Sequence, residues 1–286
     1  MRVDLYTLCW NEADVLGFFF RHYDPVVTRY VVFDDGSIDG SLDILRRHPR
    51  VEVRRFVRTH PESFVLSQRD LQNEVWKESR GRADWVIVTA VDEHLHAAGW
   101  HLPNYLDAAR RSAVTAIPAV GFQMLSEAMP DPDELLCATR TVGAAFDDMN
   151  KLSIFNPDAI ADTGFTEGRH RAVPTGDVRL PPRDELMLLH YKYIGFERTL
   201  ARHAEQSGGL GPTDRKNQWG FQYQWDASQL RASWDAFAAR AIDVASPGFA
   251  AWKAAARTRW WRPAGFQDAP PRLAHRIGLR SRFLRL

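Results

Sequence analysis

The sequence predicts an α/β protein in which a mixed, mostly parallel sheet is flanked by helices and followed by a helical C-terminal region. Three observations predict it. The first half alternates short apolar runs with segments of helical spacing. Two of those runs end abruptly in acidic pairs, Asp34-Asp35 and Asp92-Glu93. From Phe196 onward the pattern is helical.

Each element has its own reason. Val3 to Cys9 is a short apolar run, the mark of a buried strand. Asn11 to Arg21 places Val15, Leu16, Phe19 and Phe20 at helical spacing, with Asn11 as a candidate N-cap. Tyr30 to Phe33 is a second strand, a helix from about Asp39 to Arg47 follows, and Val51 to Phe56 is a third strand. Phe64 to Ser79 reads as a longer helix, and Trp85 to Val91 is the most strand-like segment of the chain. Pro103 to Arg111 is expected to be helical and Ala113 to Phe122 extended. Residues 126–150, with Pro130-Asp131-Pro132-Asp133, read as a long loop with functional potential. Lys151 to Phe155 and Leu186 to Tyr191 are later strands, and a Gly-rich stretch at 207–212 interrupts the C-terminal helices. The expected division is residues 1–195, which carry the sheet, and 196–286, helical with a basic tail.

Bulk properties narrow the function. At 286 residues the chain can bury a full core, and 45% hydrophobic with 26% charged residues is ordinary globular composition. A formal net charge of +1 argues against broad phosphate neutralisation, so no nucleic-acid partner is expected. Cys9 and Cys137 form no CxxC or paired spacing, which points to a reducing compartment. Asp4 interrupts the opening apolar stretch, unlike a signal peptide, and no apolar run approaches the roughly 20 residues that span a bilayer. The chain is read as cytoplasmic.

The acidic pairs matter because open α/β sheets bind ligands at the carboxyl ends of their strands. Asp34-Asp35 and Asp92-Glu93 end strands, and Trp10-Asn11-Glu12 follow the first one. In a parallel arrangement all three groups converge on one edge. Trp10 would offer an aromatic face to a nucleobase, Asp35 an acceptor to it, and Asp92 a ligand to a hard divalent ion beside substrate phosphates. Simpler structural roles compete: Trp10 as a core aromatic, Asp34 and Asp39 as turn and cap residues, His94 and His96 as buried structural groups rather than metal ligands. Gln68, Arg69 and Asn73 lie on the helix before the fourth strand, where they would orient donor groups or serve as capping and core-edge residues.

Two stretches, Leu5-Tyr6-Thr7-Leu8-Cys9-Trp10-Asn11-Glu12-Ala13-Asp14-Val15-Leu16 and Val31-Val32-Phe33-Asp34-Asp35-Gly36-Ser37-Ile38-Asp39-Gly40-Ser41, resemble the opening of family-2-like glycosyltransferases of the Rossmann-like GT-A fold. Ala83-Asp84-Trp85-Val86-Ile87-Val88-Thr89-Ala90-Val91-Asp92-Glu93-His94-Leu95 is similar to the branch whose metal motif reads D-x-D-E-F, and Leu189-His190-Tyr191-Lys192-Tyr193 to its later H-Y segment. The resemblance spans residues 2–205 in order. It implies that Leu8, Trp10 and Asp35 contact the nucleobase; Asn11 and Glu12, by their place after the first strand, and Arg69, by its place on the helix, are further donor-side candidates. It implies that Asp92 holds Mn²⁺ or Mg²⁺ on the diphosphate, with His190 near the metal or phosphates. One departure stands out: Ala90 occupies the place of the motif's first acid, and Glu93 is the residue available to compensate.

The reaction this resemblance implies is transfer of a sugar, with uridine the favoured donor base, to a hydroxyl of a glycan, lipid-linked or other acceptor. Inversion needs a carboxylate base on the face opposite the leaving group, for which Glu167 and Glu127 are the candidates. Two other readings stay open. A sugar nucleotidyltransferase would share the fold, although such enzymes usually carry a Gly-rich loop after the first strand, where this chain has Cys-Trp-Asn-Glu. A catalytically lapsed nucleotide- or sugar-binding module would explain Ala90. Residues 257–286 hold eight arginines against one acid, with Trp260 and Trp261, and read either as a solvated extension or as a peripheral contact with anionic lipid at the inner face of the membrane.

Overall fold

The structure, a computed structural model, describes residues 1–97, 99–254, 259–263 and 265–269. The N-terminal strands are β1 (Val3–Cys9), β2 (Arg29–Asp34), β3 (Val51–Arg55) and β4 (Trp85–Val88). They pair in the order β3-β2-β1-β4, all parallel. Strand alternation sorts their side chains onto two faces. Leu5, Tyr30, Val32, Trp85 and Ile87 enter one apolar cluster, while Tyr6, Val31, Phe33, Val86 and Val88 enter another. Near-continuous Val, Ile and aromatic runs are what a sheet buried on both faces requires.

The helices that cover these faces are α1 (Leu16–Tyr23), α2 (Ser41–Arg47), α3 (Phe64–Glu74) and α4 (Leu102–Arg111). A 3₁₀ turn at Val75–Ser79 extends α3. The first helix begins later than its spacing suggests. Asn11 sits at φ 53 and does not cap it; residues 13–15 turn first, with Val15 and Leu16 N–H both donating to the Glu12 carbonyl at 3.0 Å.

The rest of the sheet is mixed. Strands β5 (Glu93–Ala97), β6 (Ala116–Ser126), β7 (Val142–Ala145) and β8 (Lys151–Phe155) are followed by a small hairpin of β9 (Ile160–Asp162) and β10 (Thr175–Gly176), then β11 (Leu186–Ile194) and β12 (Ile242–Asp243). Strand β8 runs antiparallel to both β4 and β6, β11 is parallel to β6 and antiparallel to β5, and β12 closes the edge on β7. Residues 126–150 are therefore no single loop: they hold α5 (Leu136–Thr139), β7 and a 3₁₀ turn at Asp147–Met149. Pairing across the sheet, a non-local gain, decided this over local composition.

The segment after residue 195 comprises α6 (Phe196–Gly209), α7 (Pro212–Lys216), α8 (Ala227–Ala238) and α9 (Ala251–Ala254), with a 3₁₀ turn at Phe221–Gln224. Tyr193 stacks on Trp234 at 5.0 Å, joining α8 to the end of β11. No helix among the described residues is long and apolar enough to cross a membrane. Trp260 and Trp261 are not free anchors. Trp260 donates to the Asn150 carbonyl at 2.8 Å, Trp261 packs on the core, and Arg259 and Arg262 both pair with buried Asp184. Most of the remaining tail lies outside the described residues.

Candidate functional site

The loop after β1 is held by side chains of the loop after β2. Backbone N–H groups of Asn11, Glu12 and Ala13 donate to Ser37 Oγ (2.9 Å), Ser41 Oγ (2.8 Å) and Asp39 Oδ2 (2.9 Å). The Ile38 N–H returns a bond to Asn11 Oδ1 at 2.8 Å, and Asp34 closes its own turn by accepting from Gly36 and Ser37. Three successive N–H groups that no strand or helix satisfies are thus paired by side chains. Asn11 and Asp39 are clasp residues, and what the clasp positions is Trp10 and Glu12.

Those two residues open onto a cavity of about 610 Å³ at the carboxyl ends of β1 and β4. This volume falls within the roughly 300–1,000 Å³ usual for small-molecule sites. Leu8, Trp10, Glu12, Asp92, Glu93 and His190 all line it. Asn11, Asp35, Arg69, Glu127 and Glu167 do not. The Asp35 carboxylate accepts from Arg58 Nη2 at 2.7 Å, so Arg58, a cavity residue, stands between it and any ligand. Arg69 and Glu167 neutralise each other at 2.9 Å, and Glu127 is exposed and paired with Arg231 at 2.7 Å. Neither carboxylate expected to act as base reaches the cavity. Gln68 lines it, whereas Asn73 ties α3 to Thr163 and Phe165.

Asp92 and His190 form a connected unit. Gln123, buried on β6, spends its amide N–H₂ on the carbonyls of Met124 (3.0 Å) and His190 (3.1 Å). Its Oε1 must therefore accept from His190 Nδ1, at 2.7 Å. With Nδ1 so engaged, His190 turns Nε2 toward Asp92 Oδ2, 3.5 Å away. A proton or a cation between the two would join them, and an imidazole oriented through its second nitrogen is a common metal-ligand arrangement. Burial would raise Asp92, but His190, Lys192 and Arg198 outweigh it and hold the carboxyl well below the usual range. The donor set suits Mn²⁺ or Mg²⁺ held by few protein groups and completed by phosphate oxygens. Among the described residues no third His, Cys, Asp or Glu joins it.

Glu93 does not fill the gap left by Ala90. It points into a buried cluster, accepting from Lys151 Nζ on Oε1 at 2.7 Å and from Arg169 on Oε2, with the Ala90 N–H also donating to it at 3.0 Å. His94 faces the other side of the strand from Glu93, stacked on His22 at 4.5 Å and packed against Tyr191.

The helix α6 supplies residues that periodicity alone did not single out. Arg202 donates to Glu12 Oε1 at 2.7 Å, and its guanidinium lies 5.4 Å from the Trp10 ring. Burial pushes Glu12 up to about 7, against Arg202 and with help from the Asp92 charge. Gly209 is required beside this indole, because a Cβ there would come within 2.9 Å of the Trp10 ring. Neither ring nitrogen of buried His203 meets hydrogen-bond geometry with a partner among the described residues, and Gln206 Oε1 and Gln72 Oε1 are likewise unpaired. All three residues line the cavity. Buried polar atoms are rarely left unpaired, so these atoms are available to a polar ligand or water in the cavity. Burial pushes His203 down to about 3, which keeps the imidazole neutral.

On the opposite wall, Asp148 and His170 line the cavity. The 3₁₀ turn that carries Asp148 lies hard against β6 at Gly121, where a Cβ would approach Met149 to 2.4 Å. His170 Nδ1 meets the Asp148 carbonyl at 2.6 Å. The Asp148 carboxylate itself is exposed and makes no ion pair among the described residues.

No protein-family model matches the chain, and no curated protein matches it. Among solved structures, A197 from STIV overlaps 67% of this chain and 86% of its own, at 11% identity and a TM-score of 0.33. A 4-diphosphocytidyl-2C-methyl-D-erythritol synthase overlaps 56% and 77%, at 16% identity and a TM-score of 0.30. The synthase of the same name from Anaerococcus prevotii overlaps 55% and 71%, at 9% identity and a TM-score of 0.28. Overlaps this shallow leave the reading of the cavity to its own residues.

Proposed function

We propose that the chain is a glycosyltransferase that moves a sugar from a nucleoside-diphosphate donor, with uridine as the favoured base, to an acceptor hydroxyl. One observation carries the reading: Trp10, Asp92 and His190, brought from three strands, line the same cavity. Leu8, Trp10 and Arg58 would hold the nucleoside, and the Asp92–His190 unit the diphosphate. Mn²⁺ or Mg²⁺ bound there would supply positive charge to the leaving phosphate. Lys192, which also faces the cavity, adds a cation from the protein itself.

Asp148 is the acceptor-side carboxylate. In the transfer, the acceptor oxygen bonds to the anomeric carbon, the bond from that carbon to the phosphate oxygen breaks, and the acceptor proton passes to Asp148. Asp148→Asn is expected to lower transfer about 100-fold, the low end for loss of a general base. Unchanged donor affinity in calorimetry would accompany it, and a loss below about fivefold would remove Asp148 from the role.

The direct test is calorimetry of the full chain with uridine, guanosine and cytidine diphosphates, with and without Mn²⁺, followed by assay of the matching nucleotide sugars. Nucleoside diphosphate release on sugar transfer or hydrolysis supports the proposal. Pyrophosphate release from a nucleoside triphosphate and a sugar phosphate would replace it with nucleotidyl transfer, and failure of every nucleotide to bind would end it. Trp10→Ala should weaken nucleoside-diphosphate binding roughly 5- to 30-fold, the lower part of the range for a base stacked on an aromatic ring, because Arg202 already lies against that indole. Unchanged affinity would assign Trp10 to packing alone.

A further inference from the structure

One wall of the cavity holds a buried cluster whose own charges sum to a positive excess. Glu93, Lys151 and Arg169 are 2%, 5% and 2% exposed, and all three line the cavity. Two cations thus share one carboxylate. Arg169 donates to the Val88 carbonyl and the Ser153 hydroxyl through Nη1 and to Glu93 through Nη2. The Lys151 ammonium has three N–H groups, of which Glu93 Oε1 takes one at 2.7 Å, and no second acceptor within the described residues meets it. Burial, with Arg169 beside it, holds Lys151 below the ordinary lysine range despite Glu93 and Asp92. The next carboxylate, Asp92, is itself faced by His190, Lys192 and Arg198. A buried charge without a full partner is costly, and a ligand anion relieves that cost.

Sheet order says which part of a ligand would meet this cluster. Strand β4 lies between β1 and β8. Trp10 follows β1 on one side, and Lys151 opens β8 on the other, at the end where β4 delivers Asp92, because β8 is antiparallel to β4. With the nucleoside on the β1 side and the diphosphate at Asp92, the transferred sugar and the acceptor lie toward β8. This placement rests on the proposed function; the charge excess does not.

We infer that Lys151, backed by Arg169 and Glu93, is a subsite for an anionic group, a carboxylate or phosphate, carried by the transferred sugar or by the acceptor. Two arms distinguish the sources. In the donor arm, calorimetry compares UDP-glucuronate with UDP-glucose, which differ by a carboxylate. In the acceptor arm, inorganic phosphate, free glucuronate and neutral free glucose are titrated into the protein with and without saturating UDP. Both arms are repeated with Lys151→Met, which leaves a balanced Glu93–Arg169 pair, and with Lys151→Arg, which keeps the charge.

A charge-assisted hydrogen bond at a buried site predicts roughly tenfold or greater preference for the anionic ligand in one arm, reduced to near parity by Lys151→Met and retained in part by Lys151→Arg. Equal binding of anionic and neutral ligands in both arms of the wild-type protein overturns the inference, as does a preference that survives Lys151→Met. If UDP binds but no anion preference exists, only the subsite fails. If phosphate binds through Lys151 and no nucleotide binds, the proposed function fails and the anion site stands.

Discussion

Replacing Asp92 by asparagine is expected to lower sugar transfer about 1,000-fold while the protein remains folded, the upper end of what losing one electrostatic stabiliser costs. The amide keeps the shape of the carboxylate and removes its charge. In the native protein that charge faces His190 Nε2 at 3.5 Å and is held ionised by His190, Lys192 and Arg198, so it is available throughout the ordinary acid and neutral range. Without it, His190 retains its bond to Gln123 but has no anionic partner with which to share a cation. The checks are kcat/KM for transfer and its dependence on Mn²⁺ concentration, alongside a melting curve. A fall in Tm with transfer reduced less than about tenfold would make Asp92 merely a partner for His190, Lys192 and Arg198.

Glu93→Ala should be the most destabilising single change in the site, costing about 3–5 kcal/mol, because it strands two buried cations. For a chain of this size that corresponds to a drop in Tm of roughly 10 °C. Lys151→Met should cost much less, since it leaves Glu93 and Arg169 as a neutral pair. Acid sensitivity follows from the same cluster. Burial alone would raise the Glu93 carboxyl, but Arg169 and Lys151 outweigh it and lower its value below the ordinary 4.5. The unfolded chain then binds more protons in acid than the folded one. The contribution of Glu93 is therefore complete above about pH 4.5 and drains away as pH falls through the lowered folded value. Melting curves from neutral pH down to pH 3 should show wild type losing Tm faster than Glu93→Ala below that point. Parallel curves for the two proteins would count against a stabilising role for the cluster.

The elements that could be read in advance share one property: their signal is local. Strand β8 matches its apolar run residue for residue, and β1 likewise, because a buried strand needs only a few consecutive apolar side chains. The meeting of Trp10 and Asp92 was also legible, since parallel strands deliver their carboxyl ends to one edge. Strand β7 was not, because Val-Gly-Ala-Ala has little strand character of its own and is held by pairing to β6. Glu167 and Glu127 stood out as carboxylates in loops near the right strands, yet each is spent on an arginine far away in the chain, Arg69 or Arg231. Lys151 carried a faint signal as a lone cation opening an apolar strand. Arg202, His203 and Gln206 carried none beyond ordinary helix composition.

Residue order by itself determined the strands and helices whose signal is local, such as β1 and β8, and that an acidic strand end and a tryptophan would arrive at the same edge of a mixed α/β sheet. Only the tertiary structure decided which charges are free. Glu93 serves Lys151 and Arg169, Asp35 serves Arg58, and Asp148 is left open to the cavity. The reason is range: backbone propensity acts over a few residues, whereas a charge takes whichever partner the packed chain brings within about 4 Å, at any separation along it.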